Sequence, residues 1–236
     1  IQDLHSHTRY SNCGRDEPAL VVETAIRGGI ELLGVSDHNY GIGDRKARYL
    51  AELDALRARY AGKIRILRGI EIATIPAHFL KPGEDLSAFD YCLVEHLDDP
   101  TSMVGARICA FADTLGIPTG IAHTDLFGWM NAMGVKPEEF LRALAAHGVF
   151  WEMNVNYDSI HGYREHAYVK AFMESPEQQR MVQGLVNSLC SARGVRQIEG
   201  DQRGHVRGIG AEVFRRAHAG SAASGQGSDG QEQNKR

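Results

Sequence analysis

The stretch RKARYLAELDALRARYAGKIRILRGIEIAT, residues 45–74, decides the fold class. Its first part carries leucines, alanines and tyrosines at helical spacing with charges between them, the pattern of an amphipathic helix. Its last part, IRILRGIEIAT, reads as a strand. The same alternation continues in both directions. Upstream, IQDLHSH is strand-like, ALVVETAIRGG is a helix with a glycine stop, and ELLGVSDHN is a short buried strand running into a polar loop. The GGI at residues 28–30 belongs to that stop and is not a phosphate loop. Downstream, YCLVEH is a strand, GARICAFADTLG a helix, and PTGIAHTD a strand then a loop. PEEFLRALAAHG follows as a helix with Pro137 in its first turn, and VFWEMNVN as a strand. Residues 165–186 are mostly helical. Repeated β-α units joined by short loops imply a parallel sheet.

Polar residues recur at or just after the strand C-termini: His7, His38, Glu71, His96, His123 and Asn154. In a parallel barrel or an open α/β sheet those ends form one face, where active sites collect. The stretch DLHSHTRYSNCG, residues 3–14, supplies one corner of that face. His5 and His7 flank a single serine, and residues i and i+2 of a strand point to the same side. Two neutral imidazoles so placed can grip one metal ion. With 11 histidines in the chain, an isolated H-x-H is as compatible with chance as with a metal. The weight comes from the other strand ends.

Bulk composition narrows the classes. At 236 residues the chain fits one large domain, or one domain plus a tail. A net charge of -4 argues against a dedicated nucleic-acid binder, though it allows a local phosphate pocket. The 4 cysteines form no C-x-x-C pair and read as free thiols in a reducing compartment. No apolar run reaches membrane-spanning length and no signal peptide is recognisable, so cytoplasm is the expected location. Ile1 rather than Met at the start is expected of a fragment or a processed product. From about Val182 the pattern fades into Gly, Arg, Ser and Gln. Residues 1–181 are expected to form the β/α domain, 182–218 an atypical segment, and 219–236 a disordered tail.

DLHSHT, GVSDHN, RGIEI, VEH and IAHTD, in that order, resemble the motifs of the PHP (polymerase and histidinol phosphatase) family over residues 3–180. The resemblance implies a distorted seven-stranded β/α, TIM-like barrel that hydrolyses phosphate esters with two or three divalent transition metals. Matched motif by motif, His5 and His7 would bind a first metal and Glu71 would bridge two. His96 and His123 would serve the second metal and His38 a third. Imidazoles with a bridging carboxylate suit Zn, Mn or Fe better than Mg. Asp37 would stand behind the ligands and Asn154 would line the site, while Glu152 reads as structural. His123 or Asp125 would help protonate the leaving group. Arg9 and Arg164 could fork a substrate phosphate, an ion-paired or solvated role being the plain alternative. Trp129, Met130 and Met133 could form a lid, with ordinary loop packing the plainer reading.

Two departures from the family stand out. Where it places a His or Asp in the loop after H-x-H, this chain has Cys13, either a thiolate ligand or a structural thiol. The late Asp-x-His motif is missing. Either the C-terminal region is rearranged, truncated or frame-shifted, as the abrupt loss of pattern favours, or Asp201, His205, His161 or His166 substitutes. The expected partner is a small phosphorylated substrate, with neither membrane nor nucleic acid. Three rival readings remain. A catalytically impaired metal-binding protein would bind metal without turnover, and a nucleic-acid binder rests only on the tail arginines. An amidohydrolase-like enzyme would be expected to use a bridging lysine, against which GIEI argues.

Overall fold

A computed structural model describes residues 2–152 of the chain. Six strands form one sheet in the order of the sequence: β1 (Gln2–Ser6), β2 (Leu32–Val35), β3 (Arg65–Ala73), β4 (Tyr91–Glu95), β5 (Thr119–Ile121) and β6 (Phe150–Trp151). Every neighbouring pair is parallel. Helices α1 (Pro18–Arg27), α2 (Asn39–Ile42), α3 (Lys46–Arg59), α4 (Ile108–Leu115), α5 (Leu126–Met133) and α6 (Pro137–Ala146) occupy the connections other than that between β3 and β4. Sequential parallel order is what right-handed β-α-β crossovers produce when the chain keeps winding one way. The helix expected in residues 45–63 is α3, whose buried Tyr49, Leu53 and Leu56 lie on one face at spacings of four and three.

The sheet is curled. Six flat strands about 4.8 Å apart would separate β1 from β6 by about 24 Å. Instead the His5 Nδ1 on β1 lies 2.8 Å from the Glu152 Oε2 just past β6. The sheet therefore bends into a half-barrel whose first and last described strands bring their side chains together at one end, consistent with the expected distorted TIM-like barrel.

Two apolar clusters follow from this curl and from the period of two along each strand. The larger packs the outer face of the sheet, including Val35, Ile66, Ile70, Ile72, Val94 and Ile121, against the helices. The smaller is the inner filling: Leu32, Leu67, Tyr91, Leu93, Ala122 and Phe150, with Leu4 against them. Glycines make room for its two rings. A Cβ on Gly34 or Gly69 would lie 2.1 or 2.5 Å from atoms of Tyr91, and one on Gly120 would lie 2.3 Å from Phe150. The Tyr91 hydroxyl donates to the Leu4 carbonyl at 2.5 Å, tying β4 across the interior to β1.

Residues 126–133 depart from expectation. They are neither lid nor loop but helix α5, with Trp129 and Met130 buried in the outer core and Trp129 edge-on to Phe140 at 5.5 Å. The Asp125 carboxylate caps this helix by accepting the Gly128 N–H at 3.1 Å. Gly128 inside so short an apolar run hides the helix from propensity. Among the described residues no helix is long and apolar enough to cross a membrane.

Candidate metal centre

The inner face carries the chemistry. Along β3 the inward parity Leu67, Gly69 leads to Glu71; along β4 it runs Tyr91, Leu93, Glu95; at β6 it runs Phe150 and then Glu152. The strands thus pass from apolar filling to carboxylates as they reach their C-terminal ends. Glu71 is wholly buried and stands at the centre. Its Oε1 lies 3.2 Å from both His5 Nε2 and His123 Nε2. Its Oε2 lies 3.3 Å from His7 Nε2 and 3.0 Å from His38 Nδ1. Four imidazoles surround one carboxylate.

His38 Nδ1 also lies 3.0 Å from Glu95 Oε1. Yet neither oxygen of Glu71, nor His38 Nδ1, nor Glu95 Oε1 takes part in a well-directed hydrogen bond. Ring nitrogens and carboxylate oxygens converge without donor–acceptor alignment, which suits a cation better than a proton. Three sets of donor atoms are compact enough to hold one: His5, His7 and Glu71; His38, Glu71 and Glu95; and His7, Cys13 and His38, each within 4.8 Å of one another. Nitrogen, carboxylate and thiol donors fit zinc and its neighbours.

The local chain explains the placement. His5 and His7 project together from β1 into the loop after it. That loop folds tightly: Ser11 N–H donates to Thr8 O at 2.9 Å and Gly14 N–H to Ser11 O at 3.1 Å. A Cβ at Gly14 would lie 2.0 Å from Thr8 O, so only glycine allows the turn that brings Cys13 back to His7 and His38. Cys13 is exposed, which removes the buried structural thiol as its role. His96, at φ 60°, is the one non-glycine residue with positive φ among the described residues. The Thr74 hydroxyl, 2.8 Å from both the Glu95 and His96 carbonyls, holds this kink.

Charges within the cluster are strongly perturbed. Burial alone would raise the Glu71 carboxyl, but the imidazoles of His123, His38 and His5 hold it well below the usual carboxylate range. Burial opposes charge on His38, yet Glu71 and Glu95 raise its pKa to about 10. His5 is likewise raised well above the ordinary value, against burial, by Glu152 and Glu71. Burial pushes His7 the other way, and the neighbouring His5 and His38 add to that against the pull of Glu71. The carboxylates around His5 and His38 thus favour positive charge at these rings.

Most of the expected ligands are brought together: His5, His7, Cys13, His38, Glu71 and His123. His96 stands further out, its side chain 41% exposed and in contact with Glu95 at 3.2 Å. Asp37 lies behind the ligands, wholly buried and accepting from Thr8 and Ser11. Arg9 is paired with Glu17 at 2.6 Å and Glu52 at 3.4 Å, the plainer of its two readings. Arg164, Asn154, His161, His166, Asp201 and His205 lie outside the described residues. Glu95 and Tyr40 escaped the sequence reading, and Glu152, read there as structural, lies 2.8 Å from His5 Nδ1. Glu95 and Glu152 were legible from strand parity. Tyr40, between the His38 ring at 4.8 Å and the His78 ring at 4.1 Å, carries no sequence signal. Its hydroxyl is pushed up to about 12 by burial first and then by Glu95, Cys13 and Glu71.

The chain matches the family model described as PHP domain over residues 3–223, and it belongs to that family. Among solved structures it is similar to histidinol phosphate phosphatase from Lactococcus lactis subsp. lactis Il1403, complexed with zinc, L-histidinol and phosphate. That similarity is 16% in identity, covers 93% of each chain and has a TM-score of 0.48. No curated protein matches the chain.

Proposed function

We propose that this protein is a metal-dependent phosphoesterase acting on a phosphate monoester of a small metabolite or nucleotide. The supporting observation is Glu71: a wholly buried carboxylate with four imidazoles at 3.0–3.3 Å on the strand-end face of a PHP-domain chain. In this reading His5, His7, His38, Glu71, Glu95, His96, His123 and Cys13 hold two or three divalent ions of the zinc, manganese or iron kind. Bound there, such ions supply a water acidic enough to ionise near neutral pH and positive charge against the phosphoryl oxygens.

The protein's own residues do the rest. Glu71 presents one oxygen to His5 and His123 and the other to His7 and His38, so this carboxylate would help hold a cation through either oxygen. Glu152 holds the His5 ring through Nδ1 and leaves Nε2 for a cation. The strand β5 end supplies the leaving-group side: His123, and Asp125 with its carboxylate steadied by the Gly128 N–H. Arg9 is not assigned to the phosphate, because its guanidinium already serves two carboxylates.

The test is a hydrolysis screen on full-length protein loaded with zinc or manganese. Sugar phosphates, nucleoside monophosphates and amino-alcohol phosphates would stand beside amide substrates. Phosphate release that vanishes in Glu71→Ala is expected. Amide cleavage without phosphate release would transfer the protein to an amidohydrolase-like reaction. A metal-loaded protein that turns over nothing would make it a binding protein.

A further inference from the structure

The structure fixes more at this site than its ligands. The Ser11 hydroxyl, only 2% exposed, touches three groups. It lies 2.7 Å from Asp37 Oδ1, it receives the His38 backbone N–H at 2.8 Å, and it lies 3.2 Å from His7 Nδ1. A hydroxyl has one proton to give and two lone pairs to receive. Asp37, when ionised, can only accept, and it already takes the Thr8 N–H and the Thr8 hydroxyl at 2.7 Å each. The Ser11 proton must therefore go to Asp37, because two acceptors facing each other at 2.7 Å would repel. The His38 N–H fills one lone pair. The remaining contact, His7 Nδ1, has to be a donor.

We infer that Ser11 and Asp37 are a positioning pair, which holds His7 as its Nδ1–H tautomer and so aims the Nε2 lone pair into the metal cluster. The inference rests on the metal-site reading above, though not on any reaction at that site. It explains why the proton inventory is complete on one side of His7 and open on the other. Nε2 lies 2.9 Å from His5 Nε2 and 3.3 Å from Glu71 Oε2. His5 is held in the same sense, with Nδ1 against Glu152 at 2.8 Å. The two rings of the H-x-H pair are thus anchored at Nδ1 by different carboxylates, Glu152 directly and Asp37 through a hydroxyl relay, and both present Nε2 to one point. Carboxylate support of this kind sets the tautomer and orientation of metal-binding histidines.

The relay also accounts for the serine in the H-T-x-x-S run. It lets one buried carboxylate fix the loop after β1 through Thr8, the start of the loop after β2 through the His38 N–H, and a ring through Nδ1. Substituting alanine at position 11 would leave His7 Nδ1–H and the His38 N–H without their acceptor. Asparagine at position 37 is a milder change. Its amide oxygen can replace Oδ1 toward Thr8 N and Ser11, while its NH2 group gives a proton to the Thr8 hydroxyl.

The experiment is long-range proton–nitrogen NMR of the full metal-free chain, labelled with heavy nitrogen, with the His7 ring signals assigned by their loss in His7→Gln. Zinc affinity is measured in parallel by competition with a chelating dye. Wild type should show His7 as Nδ1–H alone. Ser11→Ala should show mixed tautomers and a zinc affinity about 10–100-fold weaker, while Asp37→Asn should keep the Nδ1–H form. An Nε2–H signal from His7 in the wild-type chain overturns the inference even if no variant folds. So does a folded Ser11→Ala chain with unchanged tautomer and zinc affinity. Neither readout involves turnover, so a failed phosphatase screen would leave the result standing.

Discussion

Metal binding should expel protons, and the number follows from the cluster. In the metal-free chain His38 holds a proton with a pKa of about 10, and His5 is raised well above its ordinary value. A cation that takes His38 Nδ1 must displace the proton that the nearby Glu71 and Glu95 favour on that ring. One that takes His5 Nε2 must displace the proton on the side of Glu71, while Nδ1 keeps its bond to Glu152. His7 is pushed downward and contributes none. Filling the centre at pH 7 should thus release about two protons, one from each ring. Three pKa units between pH 7 and the His38 value correspond to about 4 kcal/mol of metal-binding energy spent on that proton alone. Protons compete with the metal below these raised pKa values. Affinity therefore falls as pH drops, by about tenfold per proton per pH unit, and the dependence on His38 disappears above about pH 10. Titration calorimetry of the full chain with zinc, at pH 7 in two buffers of different ionisation enthalpy, counts the protons directly. In Glu152→Gln the largest upward influence on His5 is gone, so the count should fall below that of the wild-type chain at the same pH. A count of zero in the wild-type chain, or an affinity independent of pH between 7 and 8, would refute the reasoning. It would mean that the carboxylates do not hold protons on these imidazoles.

Three further outcomes are expected. Two of the three compact donor groups contain Glu71, so Glu71→Ala should leave at most one equivalent of zinc or manganese on elemental analysis. Cobalt loaded into the wild-type protein should show a sulfur-to-cobalt charge-transfer band in the near ultraviolet that Cys13→Ser abolishes; its absence in wild type would remove Cys13 from the ligand set. Gly69→Ala would drive a Cβ to 2.5 Å from the buried Tyr91 ring and should lower unfolding stability by about 1–3 kcal/mol in urea. Pairing it with Tyr91→Leu should cost less than the two changes added together.

Much of the site was legible because its residues occupy strand ends in a repeating pattern. His38, Glu71 and His123 each close a strand-like run, His5 and His7 form an H-x-H at the end of β1, and the β-α alternation places such ends on one face. Glu95 and Glu152 obey the same parity, but each looks like an ordinary acid until register is known. Glu152 joins the cluster only because β6 curls back toward β1, a long-range consequence of closure that no local window contains. Ser11 is harder still: its part depends on three partners, from two separate segments of backbone, reaching one oxygen. Helix α5 was missed for the opposite reason, since Gly128 weakens the local signal while the Asp125 cap and the burial of Trp129 and Met130 restore the helix.

The dependence on closure ties stability to chemistry. His5 receives Glu152 from the far edge of the sheet, and Tyr91 bonds the β1 backbone from β4 just beneath. The inner rings therefore set the distance across which the two edges meet. If Tyr91 is reduced to leucine, the Leu4 carbonyl loses its donor and the interior loses volume under the H-x-H strand. His5 should then be held less firmly, and zinc affinity should fall although no ligand has changed. The comparison with Tyr91→Phe separates the two causes, because phenylalanine keeps the volume and removes only the hydroxyl. Weaker zinc binding in Tyr91→Leu with near-native binding in Tyr91→Phe would assign the effect to packing. Equal losses would assign it to the bond to Leu4. Native affinity in both would show that the metal centre is set by its own carboxylates and owes nothing to the curl of the sheet.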